Sequence, residues 1–444
     1  MDSKIIKSIL VFILVLLSFQ SSEAQETNQF SKYIGIYSNR ENVNYKVIIA
    51  AKYGKLLGAD PRGRDEMIME TDTNYHFKNI RIRGQFIQLK NGMYQQLIIK
   101  ENGYNIRLTR QKISHTSNEI PNENTWERYK NIEPVGFSQK KLDALSTYCK
   151  TISTTGLMGI YDGKVFFEYG DIKRVSYIAS ARKSVLSMIY GKYVVNGTID
   201  LNKTLKNLDM DDLGGLLPIE RKATIGHLIS ARSGVYHPAS NQGDNLSSAP
   251  KRGSKEPGTY YLYSNWDFNA AGAAFELTTG ENIFDVVQKE LAIPLEMEDF
   301  FRWIHAKRGD LSRSIYPSYH MYFSTRDMAR LGQLMLDNGM FKGKQIVPAE
   351  WVRKSTSVVT PLGEMNPEYL RNGEMGYGYM WWVWAGSDIR EELKGASGAY
   401  GQYITVIPKL NMVIAHKTAV PPGRNVSSDE YKRIVELLID SKIQ

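Results

Sequence analysis

Hydrophobic period changes across one polar stretch of this chain, and that change limits the architectures open to it. Residues 111–125 are polar, carry Asn, Ser, Thr and Pro121, and read as a linker. Before them, from about Phe30 to Arg110, short β-branched and aromatic runs such as Phe86–Leu89 and Gln96–Ile99 are punctuated by Asn91-Gly92 and Asn102-Gly103. Asn-Gly between such runs is a hairpin signal, and Tyr104–Thr109 alternates with period 2. This predicts a small antiparallel β domain over 25–110, with no chemistry of its own. A second domain is expected over 126–444.

In that second domain Ser138 heads an amphipathic helix to about Ile152. Leu157–Tyr161 and Val165–Glu168 flank an Asp162-Gly163 turn and read as a hairpin. A helix begins at Ser180 and stops at Asn196-Gly197. From Thr198 to about Trp351 the patterns are mainly helical. Strand character returns at Tyr377–Trp384, Gln402–Ile407 and Met412–His416, and a helix over Asp429–Ser441 closes the chain. Strands at both ends of a helical middle predict one sheet assembled from both ends, with a helical subdomain inserted.

Residues 1–24 read as a signal peptide. Lys4 and Lys7 precede an apolar run from Ile9 to Leu17, and Ser22-Glu23-Ala24 forms a small-x-small cleavage site. The run is short for a membrane span, which needs about 20 residues. The expectation is export, to the periplasm or beyond, with no integral membrane span after cleavage. The formal charge of +9 is scattered in no long run, so nucleic acid is not an expected partner. The single cysteine, Cys149, excludes an internal disulfide and is read as a structural thiol. The seven histidines form no metal motif, so neither metal nor cofactor is expected. Nothing in the sequence speaks to oligomeric state.

The chemistry centres on Ser180-Ala181-Arg182-Lys183. Residues i and i+3 share a helix face, so the Lys183 amine can lie beside the Ser180 hydroxyl and act as its base. Ser-x-x-Lys occurs three times, but Ser138–Lys141 looks like a helix cap and Ser248–Lys251 holds Pro250 in a loop. Only Ser180–Lys183 opens a strongly apolar helix, where burial would lower the lysine pKa. Tyr-x-Asn also occurs three times, at Tyr37, Tyr129 and Tyr263. The third, Tyr263-Ser264-Asn265, precedes an apolar helix over Phe268–Leu277. Its phenol is suited to relay protons, and Asn265 to hydrogen-bond the lysine or a substrate carbonyl. Gly395–Gln402 is a small-residue stretch before a strand, where a substrate backbone can approach and a backbone N–H can pair with that of Ser180 in an oxyanion hole.

Together these residues resemble the serine β-lactamase/penicillin-binding-protein superfamily. Thr224–Gly234, Tyr263–Asn269, Tyr377–Trp382 and Gly401-Gln402-Tyr403 look like its class C-like branch of esterases and 6-aminohexanoate-oligomer hydrolases. The resemblance spans about 126–444. It implies an α/β (α+β) fold: a β-lactamase/transpeptidase-like antiparallel sheet flanked by helices, with an inserted helical subdomain and a small all-β domain before it. It implies Ser180 as acylated nucleophile, Lys183 as base, Tyr263 as acid/base, Asn265 as orienting group, and the amides of Ser180 and Ala399 as oxyanion hole. The substrate would be a small ester or amide, or a peptide-like molecule. Where the family carries Lys or His, this chain has Ala396. That argues against efficient β-lactam hydrolysis. Trp266, Trp381, Trp382, Ser397, Gly398 and Tyr400 are candidate cleft residues.

Three rival readings remain: a β-lactamase or D,D-peptidase, a non-catalytic envelope-binding protein, and an α/β-hydrolase with Ser397 as nucleophile and His416 as base. The last lacks both the final glycine of the nucleophile elbow and an acid between Ser397 and His416.

Overall fold

The computed structural model describes residues 29–111 and 126–443, apart from 40–45, 53–54, 61, 301, 387, 389 and 419–424. The signal segment and all but the first residue of the linker lie outside the described residues. The chain divides into two compact units, residues 1–123 and 124–444.

The first unit is a closed up-and-down barrel. Its strands are β1 Gly35–Ser38, β2 Lys46–Lys52, β3 Lys55–Asp60, β4 Gly63–Met69, β5 Asn74–Phe77, β6 Arg83–Lys90, β7 Met93–Glu101 and β8 Tyr104–Arg110. Each pairs with the next, and β8 returns to β1 through Tyr37 opposite Arg110. Both Asn-Gly pairs take positive φ at both residues, 51° and 73° at Asn91-Gly92, 51° and 84° at Asn102-Gly103. That is the backbone a two-residue hairpin turn requires. Aromatic side chains fill the interior. Phe86 lies at its centre, with Tyr33, Tyr75 and Tyr94 at ring centroids of 4.9, 5.4 and 5.6 Å. Eight strands enclose a space just wide enough for such a packing.

The second unit holds a seven-stranded antiparallel sheet. Its members are β9 Gly156–Tyr161, β10 Lys164–Gly170, β11 Met375–Tyr377, β12 Trp382–Trp384, β13 Lys394–Gly398, β14 Gln402–Ile407 and β15 Met412–Lys417. The order is β10-β9-β15-β14-β13-β12-β11, so strands from both ends of the unit meet where β9 pairs with β15. Side chains alternate across the sheet. Leu157, Ile407, Met412 and Ile414 pack with helices α1 (Gln139–Thr151) and α5 (Ser428–Ser441), while Met158, Ile160, Ile404, Val413 and Ala415 join the larger core that holds α2 (Arg182–Val195), α3 (Asn265–Thr279) and α4 (Thr325–Leu336). Cys149 lies in the smaller core, where burial pushes its thiol up to about 12, which suits a structural role.

Two expectations need correction. Tyr377–Trp384 is not one strand: Met380 holds φ of 62° and the Gly378 N–H donates to the Trp381 carbonyl, so the run folds into the β11–β12 hairpin. The stretch 198–351 is less helical than its apolar spacing suggests. Residues 230–264 are mostly irregular, fastened by side-chain bonds such as those of Ser233 to Asp267, Ser240 to the Tyr316 carbonyl and Asp244 to the Asn265 amide.

His416, on β15, makes the second unit acid-sensitive. Its Nδ1–H donates to the Gly401 carbonyl and its Nε2 accepts from Thr154 Oγ1, each at 2.9 Å. Burial pulls its pKa down to about 4, whereas a free imidazole protonates near 6.5. The unfolded chain therefore binds the proton first as pH falls. Stability present above about 6.5 is lost progressively toward 4. Urea unfolding of the wild type should show His416 contributing about 2 kcal/mol less at pH 5 than at pH 7. His416→Asn should remove that part of the pH dependence, and an unchanged slope would count against it.

Candidate active site

Ser180 and Lys183 lie at the start of α2. Residues Ala179–Ala181 form a 3-10 turn that runs directly into the helix. Ala179 holds φ of 47°, a region that residues with a Cβ seldom occupy and that recurs at functional sites. One turn on, the Lys183 side chain is 1% exposed. Its Nζ lies 3.2 Å from Ser180 Oγ, 2.6 Å from Tyr263 OH and 2.7 Å from Asn265 Oδ1. The rings of Tyr263 and Phe268 flank it, with centroids 4.1 and 4.2 Å from Nζ. Ser180 and Tyr263 remain partly open to solvent.

Tyr263 and Asn265 come from the segment entering α3. The Asn265 Nδ2–H donates to the Gln242 carbonyl, which turns Oδ1 toward Lys183. Its backbone N–H, at the first turn of α3, donates to Asp244 Oδ2. The Tyr263 ring stacks on Trp382 at 5.9 Å and meets Tyr377 edge-on at 6.1 Å.

The electrostatics separate an amine from a phenol. Burial pushes Lys183 well below the ordinary lysine range, the Arg182 guanidinium adds to this, and Asp244 opposes it. Burial pushes Tyr263 up to about 12, against a hydrogen bond to Ser180 and the charge of Arg182. A neutral amine has two N–H groups and one lone pair. Asn265 Oδ1, which can only accept, takes one N–H and the Tyr263 oxygen the other. The lone pair is then left for the Ser180 hydroxyl.

Strand β13 reaches the same place. A Cβ on Gly398 would stand 2.3 Å from the Ile178 carbonyl oxygen and 3.0 Å from the Ala181 nitrogen, so only glycine lets the strand lie against the turn that carries Ser180. Ala399 follows at the exposed end of β13, and Ser397 is half-buried. Tyr400, 49% exposed, sits at φ of 68° in the turn leading to β14.

The structure brings Ser180, Lys183, Tyr263 and Asn265 together and sets Trp382 and Gly398 beside them. Trp266 is not a cleft residue. It is 0% exposed, one residue past Asn265 and so turned about 100° around α3 into the core, where Nε1–H donates to Asp212. Trp381 is core as well. The other Ser-x-x-Lys and Tyr-x-Asn matches fall elsewhere: Ser138 caps α1, and Tyr37 lies inside the barrel. Both ring nitrogens of His416 are bonded to groups other than Ser397, which removes the α/β-hydrolase reading. Sequence reasoning missed Arg182, Asp244, Gln242 and Phe268. A second basic residue directly beside Lys183 at an apolar helix start was a signal for Arg182. Asp244 and Gln242 lie about 20 residues upstream in a loop with no local signature.

The beta-lactamase family model matches residues 153–436, more than half of the chain. The chain belongs to the beta-lactamase family. An uncharacterized protein of Alkalihalophilus pseudofirmus is 26% identical over 281 residues, covering 58% of this chain and 78% of that protein. Among solved structures, a candidate 6-aminohexanoate-dimer hydrolase from Bacillus anthracis aligns with a TM-score of 0.53 at 20% identity, over 71% of this chain and 87% of that one. A penicillin-binding protein homolog from Caulobacter crescentus aligns at 0.50 and 13% identity, over 69% and 99%. At these identities the structural likeness is one of fold. The second unit thus has the fold of the serine β-lactamase/penicillin-binding-protein superfamily, a superfamily of hydrolases.

Proposed function

We propose that the protein is an exported serine hydrolase that cleaves an ester or amide through an acyl-enzyme on Ser180. The observation that carries this reading is the convergence of Ser180, Tyr263 and Asn265 on the single buried amine of Lys183. In acylation Ser180 Oγ attacks the substrate carbonyl carbon while its proton passes to Lys183 Nζ. The backbone N–H groups of Ser180 and Ala399 receive the developing oxyanion. As the tetrahedral intermediate collapses, Tyr263 gives its proton to the leaving oxygen or nitrogen, and the Lys183 proton replaces it across 2.6 Å. Water then attacks the acyl carbonyl, losing its proton by the same route in reverse, and Ser180 leaves with a proton.

The apolar Ala396 and the aromatic face of Tyr263 and Trp382 favour a neutral acyl group, the substrate class of an esterase or a 6-aminohexanoate-oligomer hydrolase. The N-terminal charge and apolar pattern supports export, with cleavage after Ala24. No helix among the described residues is long and apolar enough to cross a membrane.

The test is covalent capture followed by a substrate comparison. A fluorophosphonate should add to the peptide holding Ser180, and short-chain nitrophenyl esters or aminohexanoate dimer should turn over faster than nitrocefin. An unlabelled Ser180 would favour a non-catalytic binding protein. Efficient nitrocefin turnover would favour a β-lactamase.

A further inference from the structure

Arg182 stands between the two residues that share the chemistry, and its surroundings are unusual. The side chain is buried. One nitrogen, Nη1, donates to the Ala179 carbonyl at 3.0 Å. Nε and Nη2 are also buried, with no hydrogen-bond partner among the described residues. No carboxylate among those residues pairs with it. The guanidinium lies over the ring of Tyr319, 5.2 Å from its centroid. Burying an unpaired charge is costly, and one carbonyl and one aromatic face offset only part of that cost. Such expense is characteristic of a functional site.

We propose that Arg182 is a positioning residue of the reaction, a fixed buried cation whose repulsion holds Lys183 in the neutral form that can take the Ser180 proton. The proposal rests on Lys183 being the base of the proposed function. A guanidinium suits the task because it stays charged in surroundings where an ammonium sheds its proton. The groups around the pair leave that repulsion largely uncancelled. Tyr263 and Asn265, from the entry to α3, present neutral oxygens to Lys183, and Phe268 presents a ring. Strand β13 brings Ala396 and Gly398 to this side, neither charged. Tyr319 faces Arg182, and the next residue, His320, is pulled down to about 3 by burial, then by Arg182 and Arg308, so it adds no second cation. Asp244 alone opposes, and it is engaged by the Asn265 amide.

The test is the pH dependence of fluorophosphonate addition to Ser180 in the full chain, for wild type, Arg182→Met and Arg182→Gln, with a thermal melt of each. Labelling rises with pH as Lys183 loses its proton. Removing the cation should therefore move the midpoint of that rise upward, by about one pH unit or more. Arg182→Gln retains an N–H for the Ala179 carbonyl and so separates the charge from the hydrogen bond; both variants should move alike. Tyr319→Glu, which sets a carboxylate against the guanidinium, is a second route to the same upward shift if the Arg182 variants do not fold. A folded variant of any of the three with an unmoved midpoint would overturn the proposal and leave Arg182 a structural residue. Failure to label Ser180 in the wild type at any pH would instead overturn the proposed function itself.

Discussion

Ser180→Ala, Lys183→Met and the double variant are expected to share one residual rate of ester hydrolysis, about 10³-fold below wild type. The two side chains act on one proton. Without Lys183 the Ser180 hydroxyl has no acceptor for its proton, and without Ser180 the amine has nothing to deprotonate. Removing the second therefore costs little once the first is gone. Methionine keeps an unbranched stem between the rings of Tyr263 and Phe268, so the thermal midpoint should stay within a few degrees of wild type. The measurement is kcat/KM on a nitrophenyl ester for all four proteins. A double variant slower than either single variant by a further tenfold would show that Lys183 serves some group other than Ser180.

Gly398→Ala should be nearly as damaging, while Gly395→Ala on the same strand should be tolerated. An added Cβ at 398 meets backbone on both sides, 2.3 Å from the Ile178 oxygen and 3.0 Å from the Ala181 nitrogen. Neither atom can swing aside, so β13 must withdraw from the turn that holds Ser180. At 395 the nearest atoms are the Ile404 oxygen at 3.6 Å and the Met375 Cε at 3.9 Å, ordinary contacts. A displacement near 1 Å at a reacting centre costs about 10²-fold in rate, and the strain costs about 1–3 kcal/mol of stability. Gly398→Ala is thus expected to lose about 10²-fold in kcat/KM and to melt several degrees lower. Gly395→Ala should remain within about twofold of wild type. Equal behaviour of the two variants would mean that the approach of β13 to the nucleophile turn has no part in the reaction.

Local rules read well here where the controlling interactions are themselves local. Asn91-Gly92, Asn102-Gly103 and Asp162-Gly163 all adopt the positive-φ turns that their composition demanded. Ser138 caps α1 by accepting from the Lys141 amide. Reading failed where distant contacts override pattern. Tyr377–Trp384 has the composition of a strand, yet the Tyr379 N–H donates to the Ser355 carbonyl and the loop folds back. Trp266 looked like cleft lining because its neighbours in sequence are site residues, but Asp212, 54 residues away, holds it in the core. Barrel closure was not legible either. It depends on β1 meeting β8 across about seventy residues, and neither strand carries a mark of that pairing.

Spacing along the chain is enough to single out Ser180, Lys183, Tyr263 and Asn265: the first two lie three residues apart at one helix start, and Tyr263-Ser264-Asn265 follows later, which are covalent facts. What those groups can do depends on how the chain folds around them. Lys183 becomes a candidate base because α3 and the loop before it enclose it, the Gln242 carbonyl turns Asn265 toward it, and Arg182, buried with no carboxylate partner among the described residues, adds its repulsion. Protonation depends on solvent access and on charges that converge from remote parts of the chain. Those distances exist only once the chain has folded.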